Sequence, residues 1–332
     1  MRRCSWLVLG CLWTLAQATA APLFETEEPL ALVLTGPLAQ TLGDRSTDPA
    51  YLPYTLREGD STAEVSVRPR GASRRSICRF PPLRLKFPRS GTPASFTGQD
   101  KLKLVTHCNR RASAEQNVLE EYLAYRLLNA VTDASFRVRP LHVTYVDAAH
   151  PQRSTLTRWA FVIEDVQALA ARLGGSHLEP RRAAPAPLDA DHAALISLFQ
   201  YLIGNTDFAL DKRRENQRCC HNAKLVARTD GLISVPYDFD QSGLVDAAYA
   251  GANPVHNARD VRTRVYVGAC VPTDTLQDAL DTLRQHRARL TRTVDAIPGM
   301  TASTRRRAHS YIDRFYDRTR PDNVARLLRG CR

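Results

Sequence analysis

The chain has 332 residues, 43% hydrophobic and 24% charged, enough apolar material for a buried core, and this rules out disorder throughout. Its formal charge of +12 favours anionic partners: nucleotides, phosphates, acidic lipids or cell-wall polymers. No basic-aromatic stacking pattern accompanies that charge, so nucleic acid is not an expected partner.

Met1-Arg2-Arg3 is a basic start, Cys4 to Leu15 is mostly apolar, and Ala18-Thr19-Ala20 is a small-x-small cleavage signature. Residues 1–20 therefore read as a secretory signal peptide, which implies a periplasmic or secreted protein. A lipid-attachment reading at Val8-Leu9-Gly10-Cys11 is weaker, because apolar residues continue past Cys11. No later stretch is long and apolar enough to span a membrane as a helix.

Residues 22–173 read as a strand-rich lobe with one long helix. Leu30 to Leu34 is an apolar run, and Ala63 to Arg68 alternates before Pro69-Arg70-Gly71 breaks it. Leu83 to Phe87 and Lys101 to Leu104 also alternate, as an antiparallel sheet requires. The period then lengthens: Val118, Leu119, Tyr122, Leu123, Tyr125, Leu127 and Leu128 form a helical stripe within Ala114 to Val131. Strands follow at Arg137 to Val146 and Arg158 to Ile163, then a short helix from Val166 to Leu173. Residues 174–188 are rich in Gly, Pro, Ala and Arg and read as a linker.

Residues 189–332 read as a mainly helical lobe. Asp189 to Ile203 is an apolar helix, Leu276 to Ala296 and Thr301 to Arg318 are amphipathic ones, and two short strands lie within residues 219–243. Without Cys4 and Cys11, six cysteines remain, an even number that favours disulfides in an exported chain. Cys219 and Cys220 are adjacent, so each is expected to pair elsewhere. A zinc site from Cys108, Cys219, Cys220 and His221 is the rival, but CxxC spacing is missing.

Only five of the 46 basic residues are lysines: Lys86, Lys101, Lys103, Lys212 and Lys224. Where arginine fills most cationic positions, a retained lysine marks a place that wants a compact ammonium. Lys101 and Lys103 share one strand face, and the helix that follows carries Glu120 and Glu121. Asn117, Glu121 and Tyr125 align at helical spacing, which turns Glu121 to the sheet and leaves Glu120 to solvent. In the second half, Asp207 follows a buried helix, Asn222 precedes one short strand, and Asp238 ends the next. That order suits phosphoryl transfer: one carboxylate orients a hydroxyl, while an amide oxygen and a second carboxylate hold a divalent cation against phosphates.

In these motifs (GNTD at 204–207, HNAKL at 221–225, PYDFD at 236–240, and KLKLV at 101–105 before EQNVLEEYLAYRLLN) the chain resembles atypical protein-kinase-like enzymes of the CotH and HipA types. The resemblance implies an α+β, two-lobed protein-kinase-like fold, with ATP and Mg²⁺ or Mn²⁺ between a strand-rich N-terminal lobe and a helical C-terminal lobe. It further implies Asp207 as the catalytic acid, Asn222 and Asp238 as metal ligands, and Lys103 as the phosphate-binding lysine with Glu121 as its partner. Glu164 falls at the interlobe hinge, and Arg70-Gly71 with Ser73 at a turn over the phosphates. The chain departs from the pattern in lacking a GxGxxG loop, in reading Asp-Phe-Asp for Asp-Phe-Gly, and in the 15 positions between Asp207 and Asn222.

The expected activity is ATP-dependent phosphorylation of a protein or glycan hydroxyl. The alternatives are a catalytically silent binding module at the cell envelope and nucleotidyl transfer. A hydrolase is disfavoured, since GxSxG and HExxH are missing.

Overall fold

Strict alternation of apolar residues builds most of the N-terminal half. A computed structural model describes residues 23–152, 155–212, 218–253, 258–320, 323–327 and 331; the signal-peptide reading lies outside them. The half comprises β1 (Leu30–Gly36), α1 (Leu38–Gly43), β2 (Leu52–Glu58), β3 (Ser61–Pro69), α2 (Ala72–Ile77), β4 (Leu83–Lys86), β5 (Lys101–Val105), α3 (Ala112–Val131), β6 (Val138–Asp147) and β7 (Thr155–Ile163). The seven strands close into a barrel in the order β1-β2-β3-β4-β5-β7-β6. All neighbours are antiparallel except β1 and β6, which pair in parallel from Leu30 opposite Leu141 to Gly36 opposite Asp147.

One set of alternating side chains fills the barrel, including Leu32, Leu34, Tyr54, Leu56, Val65, Leu83, Leu85, Leu102, Leu104 and Tyr145. The opposite faces of β5 and β7 carry Val105, Phe161 and Ile163, which belong to a second core around α3. Lys103 projects from this outer face, since Leu102 and Leu104 point inward.

The rest comprises α4 (Val166–Arg172), β8 (Ser176–Leu178), α5 (Ala190–Ile203), β9 (Ala223–Arg228), β10 (Gly231–Pro236), α6 (Thr273–Gln285), α7 (Arg287–Ala296), α8 (Ala302–Arg318) and α9 (Val324–Leu327). A three-stranded sheet runs β10-β9-β8. Part of the expected linker is therefore a strand, with Ser176 to Leu178 paired to β9. The helix expected from Leu276 to Ala296 is two helices that meet at His286.

The expected two-lobed protein-kinase-like fold is overturned by the closed mixed barrel. The reading missed the parallel β1–β6 seam, which joins segments about a hundred residues apart and leaves no local trace in the sequence. The cores are also not divided as two lobes require. Val118, Leu123, Leu127 and Phe161 pack in the same cluster as Leu198, Phe199, Leu280 and Phe315.

Disulfides join Cys78 to Cys108, Cys219 to Cys220 and Cys270 to Cys331. The expectation that Cys219 and Cys220 pair elsewhere is corrected: their peptide is cis, their Cα atoms lie 2.9 Å apart, and they bond to each other. With these sulfurs and that of Cys108 in disulfides, the zinc alternative loses its thiolates. Three disulfides fit an exported protein. Among the described residues no helix is long and apolar enough to cross a membrane.

Candidate active site

Backbone turns bring Asp207, Asn222 and Asp238 together. Gly204 ends α5 with φ of 66°. A Cβ there would lie 2.0 Å from the Tyr311 hydroxyl, so the position demands glycine on space as well as backbone. The chain then reverses, and the Asp207 amide donates to Asn205 Oδ1 at 2.9 Å. In the β9–β10 hairpin Ala223 lies opposite Pro236, which puts Asn222 beside Tyr237 and Asp238 at the open end. The Tyr237 amide donates to the Asn222 carbonyl at 2.9 Å. Asn222 (φ 51°) and Asp238 (φ 66°) both adopt left-handed backbone, which Asn and Asp tolerate best after glycine.

Asn222 Nδ2 donates to the Asp207 carbonyl at 2.7 Å and to Asp207 Oδ2 at 3.0 Å. His221 Nε2 lies 3.0 Å from Asp207 Oδ1. Each carboxylate oxygen of Asp207 is thus held by its own nitrogen. The described ends of the insertion between Asp207 and Asn222 pair with each other: the His221 carbonyl accepts from Ala209 N at 2.9 Å and the His221 amide donates to Lys212 O at 3.3 Å.

Arg74, on α2, is the hub of a buried acidic cluster. Its Nη1 meets Glu121 Oε2 at 3.3 Å, its Nη2 meets Asp238 Oδ1 at 2.9 Å and its Nε meets Asp240 Oδ2 at 3.2 Å. Burial pulls the guanidinium's pKa down, but Asp240 and Glu121 outweigh it and hold it above its usual value. Burial raises the carboxyls of Glu121 and Asp240, with Arg74 opposing. Tyr125, one turn after Glu121, accepts the Asp238 amide at 2.8 Å. The expected pairing of Glu121 with Lys103 is therefore corrected: its carboxylate belongs to Arg74. Glu120 is corrected too. It is buried, with Arg307 of α8 at 3.2 Å and Asn117 at 3.1 Å.

Lys103 lies on the other flank of Asp238, with Nζ 4.2 Å from the Tyr237 ring centroid. Burial, reinforced by Arg70 and Lys224, lowers its pKa to about 7, while Asp238 opposes the shift. Arg84 stands opposite Lys103 across the β4–β5 ladder. Arg70, just before Gly71 (φ 84°), is lowered chiefly by burial, with Asp238 opposing and Arg74 and Arg84 reinforcing. Ser73, beside that turn, is exposed. Among the described residues neither Lys103 nor Arg70 has a carboxylate in ion-pair contact. Four cations therefore gather near Asp238, of which Lys224 also meets Glu179 at 3.6 Å, and the excess of positive charge suits an anion.

Glu164 follows Ile163, which pairs with Lys103. Its carboxylate binds Arg172 at 2.8 and 3.0 Å and the Arg137 amide at 3.0 Å, locking α4 to the barrel's edge. The sequence reading singles out none of Arg74, Arg84 and Asp240 at this site, and it marks Lys224 only as a retained lysine and His221 only as a possible zinc ligand. His221 and Lys224 lie inside the HNAKL motif and Asp240 inside PYDFD, so adjacency was the available signal. Arg74 had none, being one arginine among many.

Among the described residues no group of three or more His, Cys, Asp or Glu side chains is arranged to hold a metal. A cation held against phosphates needs fewer protein ligands, because phosphate and water oxygens complete its shell. Two hard oxygens, Asn222 Oδ1 and Asp238 Oδ2, accept no hydrogen bond among the described residues. An amide oxygen and a carboxylate oxygen are the ligand types that a hard cation takes. Beyond His221 opens a cavity of about 860 Å³, bounded by Thr206, Phe208, Lys212 and the segment from Ala183 to Leu188. Compared with known proteins, the chain matches no family model and no curated protein.

Proposed function

We propose that the chain is an exported, Mg²⁺-dependent phosphotransferase that moves the terminal phosphoryl group of ATP to a hydroxyl of a protein or glycan. The observation that carries this reading is the charge layout around Asp238. The cations Arg70, Arg84, Lys103 and Lys224 gather on one side, and the Asp207–Asn222 pair on the other. The reading keeps the motif residues that resemble CotH-type and HipA-type kinases and drops their two-lobed fold.

In this mechanism Lys103 and Arg70 bind the polyphosphate. Asn222 Oδ1 and Asp238 Oδ2 would hold the cation, which when bound would neutralise charge on the phosphates. His221 and Asn222 fix the Asp207 carboxylate. The acceptor hydroxyl enters from the cavity beyond His221 and gives its proton to Asp207 as its oxygen bonds to the terminal phosphorus, and the bond to ADP breaks. Nucleotidyl transfer would use the same groups with the nucleotide reversed.

A second reading, a catalytically silent nucleotide-binding module, is favoured by the Arg74 contact, which already engages one oxygen of Asp238. Thermal-shift titration with ATP and Mg²⁺, paired with a phosphoryl-transfer assay, separates the two. The enzyme reading expects a metal-dependent shift that Asp238→Ala abolishes, and turnover that Asp207→Ala lowers by roughly 10²-fold or more while binding persists. Binding without wild-type turnover leaves the module. No metal-dependent shift in the wild type overturns both.

A further inference from the structure

A separate concavity lies away from that site, at the end of the barrel where α1, the end of α2 and the loop before α3 meet. It encloses about 930 Å³, within the range of small-molecule sites. Leu38, Leu42, Ile77, Phe80 and Leu156 line it. Ile77, 51% exposed, is the exposed large hydrophobic side chain among the described residues. The rim carries Arg79, Arg110 and Arg111. All three are exposed, and among the described residues none of their guanidinium groups has an ion pair or hydrogen bond. The lining carboxylate, Asp147, is engaged by backbone: its oxygens accept from the amides of Ala39 and Ala149, each at 3.2 Å. The Cys78–Cys108 disulfide fastens the two halves of the rim together.

We propose that this cavity binds a single-chain anionic amphiphile, its hydrocarbon chain on the apolar floor and its phosphate or carboxylate head on the arginine rim. Each half of the site excludes a simpler ligand. An inorganic anion or sugar phosphate would leave the exposed Ile77 and the half-buried Leu42 and Leu156 uncovered. A neutral lipid would leave three guanidinium groups without a counter-charge. The concave floor and a lone exposed isoleucine favour one inserted chain over contact with a bilayer, which needs a broader apolar face. Behind Phe80, the His107 ring lies tilted by 35° at a centroid distance of 4.4 Å, and among the described residues neither its nitrogens nor the Tyr145 hydroxyl has a hydrogen-bond partner.

The test is calorimetric titration of the wild-type protein with dodecyl phosphate and with dodecanoate, below their micelle concentrations. Dodecyl maltoside and inorganic phosphate serve as controls. Saturable one-to-one binding is expected for either anionic amphiphile. The double change Arg110→Gln with Arg111→Gln, at two exposed positions, should weaken it about tenfold or more, the scale of two lost charge-assisted hydrogen bonds. Ala39→Trp, which fills the cavity from an exposed position on α1, should also block it, and Asp238→Ala should leave it unchanged. Equal binding of dodecyl maltoside, equally tight binding of phosphate alone, binding confined to anionic vesicles, or no binding would each overturn the proposal. Unchanged binding in Asp238→Ala would separate this result from that of the ATP site.

Discussion

Arg74 is the side chain on which the buried acids depend. Without it, Glu121 and Asp240 lie in the interior with no cation in contact. Breaking a buried ion cluster by removing one partner costs about 3–5 kcal/mol, so Arg74→Ala should lower unfolding free energy by roughly that amount in urea titration. Replacing Glu121 alone with Gln should cost less, since Asp238 and Asp240 still neutralise the arginine. Lys103 offers a second test. Its folded pKa of about 7 lies below the usual 10.5, so between these values the unfolded chain holds more protons than the folded one. Stability contributed by this group therefore rises with pH from about 7 toward 10.5, and below 7 the cost of burying the charge is felt in full. Anion binding has the opposite trend. The charged ammonium binds phosphate, so affinity for ATP should fall as pH rises through 7, and Lys103→Arg should flatten that profile, measured by titration at several pH values.

Among the elements, α2 is the shortest link between the two regions of interest. Six residues carry Arg74 into the acidic cluster and Ile77 to the outer cavity. So short a helix is not stable alone. It is held by Arg74, by the Arg75 Nε bond to the Gly71 carbonyl at 2.9 Å, and by the disulfide at Cys78. That disulfide spans a separation of 30 residues, and loops of this size gain about 2–4 kcal/mol from closure. Replacing Cys78 and Cys108 with Ser should lower the melting temperature. It should also weaken nucleotide binding, because Arg74 and Arg70 flank the released segment. A drop in stability with unaltered ATP affinity would show that α2 does not organise the site.

For the molecule as a whole, the excess of positive charge has a consequence that single contacts do not. With +12 overall and four cations beside Asp238, ATP should be drawn in electrostatically, and affinity should fall several-fold as salt is raised from about 0.05 to 0.5 M. Calorimetry at the two ionic strengths checks this. Alternation in Lys101 to Leu104 and the stripe in Ala114 to Val131 expose β5 and α3, because each element's periodicity is written in its own residues. Gly204, Asn222 and Asp238 lie at turns between such elements, so their proximity follows once the hairpin and the end of α5 are recognised. The barrel's closing seam was beyond reach, since β1 and β6 carry the same apolar runs whether or not they pair. So was the partner of Glu121: local spacing shows which way a carboxylate faces, and Arg74 reaches it from a different segment. Primary structure thus established the elements, the export-type cysteine content and the polar residues at their ends. Which cation meets which acid, and whether the sheet closes, was decided by long-range packing, because those energies depend on groups that are neighbours only in space.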